Sequence, residues 1–512
     1  MRLLSDLLAR HATIDRPALI HGDRMVSYPK LSATVARVAG ALDELHGLPG
    51  NRVAILLPNC PEFVFAYLGA AVSGNVAVPI NHLLQPDEIA FILNNSQASC
   101  LVTSAELLPK ITAIRERVPA LRTVVVVGEK DALPSALSWD GFLVGQPATH
   151  TPLRPLVPDD VVVFLYTSGT TGFPKGAMCS HANLLSNVVT EAALYGLGGD
   201  DVFACVLPLS HNYSLVDTCL LPLYHGATIV LGEMQHTEGL LALIERRRVT
   251  FLATMPAQLG EMAHGTFRSH DTSSLRMVQT GGAPLASEVH RLFREKYGLP
   301  ILEGYGCSEA SSTVTVMPVE GPIRPFSVGR VMPNQVLRIA DDHGHNVPAG
   351  VEGEVLVKGP NVCRGYYGQP EATRTALAGG WLHTGDLGKL DAEGYLYITG
   401  RKKAMINVGG LKVYPAEVEE VLYQAEDVAE ACVVAGYDPR HGETVKAFIA
   451  PAPGRTPDVE RIRRHCAARL GAYKVPRSIE VRPALPRTGS GKIAVAVLQA
   501  EAMRGSGPRS AA

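Results

Sequence analysis

Short runs of β-branched and apolar residues recur along the chain with longer helical patterns between them: Val53 to Leu57, Thr123 to Val127, Val161 to Tyr166, Ala227 to Leu231 and Arg276 to Thr280. Strands that read as continuous apolar runs are buried on both faces, and strands joined through helices run parallel, so the alternation predicts βαβ units and parallel sheets. The chain has 512 residues, beyond the roughly 250–300 at which a single core stops growing. Two or more domains are therefore expected. Near residue 350 the texture changes to short strands with turn signals, as in G-E-V-L-V-K-G-P and D-A-E-G-Y-L-Y-I-T-G, which predicts a β-rich subdomain ending at Gly400.

Beyond it the pattern predicts a helix from Ala416 to Gln424, strands at Ala431 to Gly436 and Val445 to Ile449, a helix from Val459 to Leu470, a strand from Ser478 to Arg482, and a last helix. That is an α+β unit of a common size, about one hundred residues. The fold class is thus α/β: a large domain over 1–400 of parallel-sheet αβ layers plus a β-rich subdomain, then a small C-terminal α+β domain over 401–512. The final G-S-G-P-R-S-A-A reads as a disordered tail.

Charge excludes some partners. With 47 basic against 49 acidic residues the formal charge is −2, too small a field to gather nucleic acid. Nine scattered cysteines without a C-x-x-C pair suggest neither disulfides nor zinc, and point to a reducing cytoplasm. The opening M-R-L-L-S-D-L-L-A-R-H reads as an amphipathic helix, and no apolar run reaches the ~20 residues of a membrane span.

The stretch V-V-V-F-L-Y-T-S-G-T-T-G-F-P-K-G-A carries the most chemistry. A hydrophobic strand enters a loop in which Thr167, Ser168, Thr170 and Thr171 offer hydroxyls. Gly169 and Gly172 let the backbone approach an anion, and Lys175 adds a cation. It is not a Walker A loop, because Pro174 stands before Lys175 where that motif needs Gly.

This string resembles the phosphate loop of the adenylate-forming superfamily, which includes acyl-CoA synthetases, firefly luciferase and the adenylation domains of nonribosomal peptide synthetases. The resemblance continues in order down nearly the whole chain. G-G-A-P-L, with Gly281, Gly282 and Ala283, is similar to the loop lining the nucleotide and acyl pockets. G-Y-G-C-S-E looks like the family's G-Y-G-x-T-E element: Tyr305 for adenine, Gly306, Cys307 toward the acyl pocket, Ser308 in place of the usual Thr, and Glu309 for magnesium. Asp386 of W-L-H-T-G-D matches the carboxylate that accepts both ribose hydroxyls, and Arg401 a second ribose contact. Lys403 matches the hinge about which the small domain swivels. Lys492, in P-R-T-G-S-G-K-I, matches the lysine between the carboxylate and the α-phosphate. Gly409 and Gly410 fall in the stretch lining the pantetheine channel.

The resemblance thins at the acyl pocket. His211 in L-P-L-S-H-N-Y-S matches the family's P-x-x-H element, and the helix S-L-V-D-T-C-L-L-P-L, carrying Asp217 and Leu220, should follow as a pocket wall. Asp217 has two readings. With Ser214 it could form an S-x-x-[DE] capping box, or it could point into the pocket and pair with a substrate ammonium. Under the second, the acid is amino-bearing, for example a β-amino acid; under the first, a fatty or aryl acid fits.

The family resemblance implies an ATP- and Mg²⁺-dependent acid–thiol ligase. A carboxylic acid becomes acyl-AMP, then passes to the thiol of CoA or of a carrier-protein phosphopantetheine. Lys175, Glu309 and Lys492 would be its catalytic residues. The reading from another class is a non-catalytic nucleotide-binding protein on the same fold.

Overall fold

The computed structural model describes residues 1–504 apart from 48–49, 130–132, 134, 168–173, 234–235, 284, 286, 403, 405, 409–410, 439–441 and 489–490. Two large sheets dominate it. The first has seven strands in the order 137–138, 123–127, 100–104, 52–56, 76–79, 161–167 and 175–180. All neighbours are parallel except the last pair. The second has nine strands, with a parallel centre and antiparallel pairs at both edges. These edge hairpins depart from the expected parallel pattern. The strand Val161–Thr167 turns back into Lys175–Ser180, and Ile301–Cys307 turns back into Ser312–Val316.

The space between the sheets is filled by helices. In Pro61–Val72 every residue but the last is buried, as a helix apolar on all sides must be when sheets enclose it. The core joins Phe63, Phe65 and Tyr67 of this helix to Ile55 and Val163 of one sheet and to Phe203, Ile229 and Phe251 of the other. Asn59, just before that helix, donates to the carbonyls of Leu207 and Gly232 at 2.8 and 2.9 Å and accepts from the Leu209 N–H at 2.9 Å. The Leu207–His211 loop is thereby pinned to the core.

A four-stranded antiparallel sheet follows, built from Val336–Ala340, Gly353–Lys358, Leu382–Leu390 and Leu396–Arg401. It begins earlier than the change of texture near residue 350. The last unit has helix Pro415–Tyr423, strands Val428–Asp438 and Gly442–Pro451, helix Val459–Ala467, strand Ser478–Val481 and helix Val495–Arg504. It has its own core around Val418, Leu422, Val433, Ile449 and Ile462. Among the described residues no helix is long and apolar enough to cross a membrane.

Candidate active site

One continuous cleft of about 3730 Å³ runs between the large domain and the C-terminal unit. Thr167, Lys175, His211, Gly281, Gly282, Ala283, Tyr305, Gly306, Cys307, Ser308, Glu309, Asp386, Arg401 and Lys492 all line it. Residues more than three hundred positions apart in sequence thus share one wall. Ser168, Gly169, Thr170, Thr171, Gly172, Lys403, Gly409 and Gly410 lie outside the described residues.

The ends of the Ser/Thr/Gly loop are fixed. Tyr166 pairs with Gly176, and Thr167 with Lys175, across the mouth of the hairpin. The Tyr166 hydroxyl donates to Asn95 at 2.6 Å, and a Cβ on Gly176 would come within 3.0 Å of the Tyr166 ring. Lys175 Nζ sits 5.2 Å from the centre of the Tyr366 ring, a cation–π arrangement. The Tyr366 hydroxyl donates to Glu309 Oε1 at 2.6 Å, and the Cys363 N–H bonds the Glu309 carbonyl at 2.7 Å. Tyr366 therefore ties the cation to the carboxylate. The sequence reading missed it, since only spatial adjacency gives the residue meaning.

Glu309 Oε2 accepts no hydrogen bond among the described residues, so one hard oxygen faces the cleft beside Lys175. That suits Mg²⁺, which takes one or two carboxylates and completes its shell with water and phosphate oxygens. The same residues are too few to hold a metal alone: among the described residues no three His, Cys, Asp or Glu gather for one.

Asp386 is 5% exposed. The Tyr305 hydroxyl donates to its Oδ2 at 2.6 Å, and the Arg401 Nε stands 2.9 Å from its Oδ1. Strands Leu382–Leu390 and Leu396–Arg401 set this geometry by pairing Asp386 with Arg401 across the ladder. Burial and the neighbouring carboxylate hold the Tyr305 phenol protonated.

Lys492 reaches into the cleft from the C-terminal unit. A Cβ placed on Gly282, whose φ is +77°, would lie 3.1 Å from its Nζ, so the backbone there must be glycine for the lysine to approach. Burial and the Arg401 guanidinium lower the Lys492 pKa, opposed by Asp386. Among the described residues no carboxylate pairs with the lysine. It is a cation held next to another cation, a setting that favours the arrival of anions. Burial, then the Lys492 charge, holds the His211 imidazole down near 3, so it is neutral at physiological pH.

The acyl end corrects two expectations. Segment Ser214–Leu220 is a π-helix entered from Tyr213 in a helical conformation, with no side-chain cap. Ser214 Oγ donates to the Leu207 carbonyl at 2.7 Å instead of capping, so the Ser214–Asp217 capping box does not form. Nor do Asp217 and Leu220 line the cleft. Both are fully buried, Leu220 in the apolar core and Asp217 one layer behind Ser312, whose hydroxyl donates to it at 3.0 Å.

One ionisable pair bridges the two domains. Glu303, on the strand leading to Tyr305, is pushed up to about 8 by burial and by the charge of Glu420 on helix Pro415–Tyr423, which burial pushes up to about 7. A carboxyl raised in the folded state binds its proton more tightly there. Its stabilisation is complete below the ordinary value of 4.5 and is lost as pH rises through about 8. Glu303→Gln is therefore expected to flatten the fall in melting temperature between pH 5 and 9 by about 2–4 °C, measured by thermal unfolding across that range.

The AMP-binding enzyme family matches residues 8–367, and the AMP-binding enzyme C-terminal domain matches 417–492. Curated relatives align end to end. A feruloyl-CoA synthase of an Amycolatopsis species is 37% identical over 95% of each chain, and an indoleacetate–CoA ligase of Aromatoleum aromaticum 36% over 96% of each. An anthranilate CoA ligase solved in complex with anthranoyl-AMP superposes with a TM-score of 0.92 at 32% identity, covering 98% of both chains. The chain belongs to the AMP-binding enzyme family, the adenylate-forming superfamily that its motifs resemble.

Proposed function

We propose that this chain is an AMP-forming acid–thiol ligase that activates an amino-bearing carboxylic acid and passes the acyl group to CoA in the cytosol. The observation that carries the reading is the convergence of Lys175, Glu309, Asp386, Arg401 and Lys492 on one cleft. Asp386 and Arg401 hold the ribose, Tyr305 the adenine, and Lys175 with the Ser168–Gly172 loop the β- and γ-phosphates. Mg²⁺ at Glu309 would screen phosphate charge. Lys492 stands between the acid's carboxylate and the α-phosphate, so that two anions meet beside a fixed cation. The carboxylate oxygen bonds to the α-phosphorus, pyrophosphate leaves, and the thiol sulfur then takes the acyl carbon as AMP departs.

We assign the swivel to the junction of 1–400 with 401–512 near Lys403, and the pantetheine path to Gly409 and Gly410. CoA is favoured over a carrier protein because the full-length relatives are CoA ligases. The amino-bearing acid is favoured because the acyl end of the cleft is lined by the polar Tyr213, Gln279 and Ser312, with the Asp217 carboxyl buried behind Ser312. Incubation with ATP, Mg²⁺ and a panel of amino, aryl and fatty acids should release AMP and form a CoA thioester. Release of ADP and phosphate would refute the reading, and thioester formation only on a phosphopantetheinyl carrier protein would reassign the acceptor.

A further inference from the structure

Behind the acyl end of the cleft lies a chamber of polar atoms that the nucleotide chemistry leaves unused. Glu191, one helical turn past Asn187 on helix His181–Tyr195, is fully buried, and among the described residues neither of its carboxylate oxygens accepts a well-formed hydrogen bond, the Thr313 hydroxyl being the donor beside it. Asp217 is equally buried with Oδ1 unbonded. Each carboxyl is held above the ordinary range by burial first, and Glu191 also by the nearby charge of Asp217. The groups around them are Tyr195, Tyr213, Gln279, Ser312 and Thr313, and among the described residues no Lys, Arg or His joins them. Two carboxyls buried together without a cation cannot both ionise, so the pair keeps at least one proton, and an arriving cation would favour ionisation of the other carboxyl.

The wall between this pair and the cleft is itself unfinished. Tyr213, Gln279 and Ser312 line the cleft. The Tyr213 hydroxyl and Gln279 Oε1 are buried without a partner. Ser312 spends its hydroxyl proton on Asp217, leaving its oxygen lone pairs free to accept. The backbone aims that serine at a cost. Ser311 and Ser312 have φ of +55° and +109°, outside the comfortable region for a side-chain-bearing residue. Asn187 clamps the turn by donating to the carbonyls of Ala310 and Ser311 at 3.1 and 3.0 Å. A Cβ on Gly306 would meet the Ser312 carbonyl at 1.7 Å, so the Ile301–Cys307 strand must give way there with a glycine.

We propose that this end of the cleft is a subsite for one primary ammonium carried by the acid substrate, with Tyr213 OH, Gln279 Oε1 and Ser312 Oγ accepting its three N–H bonds and the Glu191–Asp217 pair behind them supplying the charge. An ammonium has three donors and one positive charge, and the site offers three acceptors backed by a carboxyl pair that the ammonium would allow to ionise. Glu191 and Asp217 act through the lining residues and are positioning groups. The inference rests on the amino-bearing reading above and adds Glu191 and the three acceptors to it.

Isosteric acids bearing ammonium, hydroxyl or methyl at the same remote position separate the outcomes in acid-dependent pyrophosphate exchange. The wild-type chain should favour the ammonium acid. The double variant Glu191→Gln, Asp217→Asn, which keeps the shape and leaves neither carboxyl to ionise, should raise KM for that acid about tenfold or more, the equivalent of losing a modest charge contact. It should leave kcat, the KM for ATP and the KM for the hydroxyl acid in place. Either single variant should lose less, since the other carboxyl remains, and all three should melt no lower than wild type because a buried, unsatisfied carboxyl is removed. Equal changes for all three acids, or wild-type activity that ignores the ammonium, would overturn the subsite while leaving adenylation intact. Exchange with no acid at all would bring down the adenylation reading, and the subsite with it.

Discussion

Lys492→Ala should slow acyl-adenylate formation by roughly 10²–10³-fold, the loss typical when a preorganised group facing developing charge is removed. The Nζ lies against Gly282, next to Arg401 and, among the described residues, without a carboxylate paired to it. Its free energy of interaction is therefore reserved for the anions that meet during the reaction. Deleting it costs the fold little, since no ion pair is broken. The same variant supplied with synthetic acyl-AMP and CoA should form thioester at close to the wild-type rate, because the second step no longer brings two anions together. Rapid-quench measurement of both half-reactions checks this; equal loss of the two would place Lys492 in a general structural role.

Asp386→Ala is expected to weaken ATP binding by about 10²-fold, because two hydrogen bonds to a charged acceptor are each worth roughly 1.5–3 kcal/mol. The carboxylate is nearly buried and organises both neighbours, receiving the Tyr305 hydroxyl and the Arg401 guanidinium. Removing it leaves the arginine charge uncompensated and frees the tyrosine ring from the hydrogen bond that orients it in the cleft. Asp386→Asn, which keeps one acceptor oxygen, should lose less. Titration of ATP into each variant by calorimetry decides it. An alanine variant that binds ATP as tightly as wild type would remove Asp386 from the nucleotide site.

What the sequence could show divides along a physical line. Lys175, Tyr305, Glu309, Asp386 and Lys492 each sit in a contiguous motif whose residue types state a local task, so they could be found one motif at a time. Tyr366 could not, because its role depends on the ring lying under Lys175 while its hydroxyl reaches Glu309, a meeting of distant segments. Glu191 was invisible for the same reason: on its helix it is an acidic residue among apolar ones, and only tertiary packing sets it against Asp217. The Ser214–Asp217 pattern misled because a capping box presumes a helix that begins at the serine. The chain is already helical at Tyr213, and the serine finds the Leu207 carbonyl. The strands were legible to within a residue or two where both faces are buried, as at Thr123–Val127. The antiparallel edges were not, since local composition is the same whichever way a neighbour runs.

The central claim is that this cleft joins a carboxylic acid to AMP. It is tested most directly by acid-dependent exchange of labelled pyrophosphate into ATP. The expected result is exchange that requires an acid and Mg²⁺, is strongest with an amino-bearing acid, and falls by roughly 10²–10³-fold in Lys492→Ala. Exchange that is absent with every acid at high enzyme concentration, or that survives unchanged in Lys492→Ala, would contradict it.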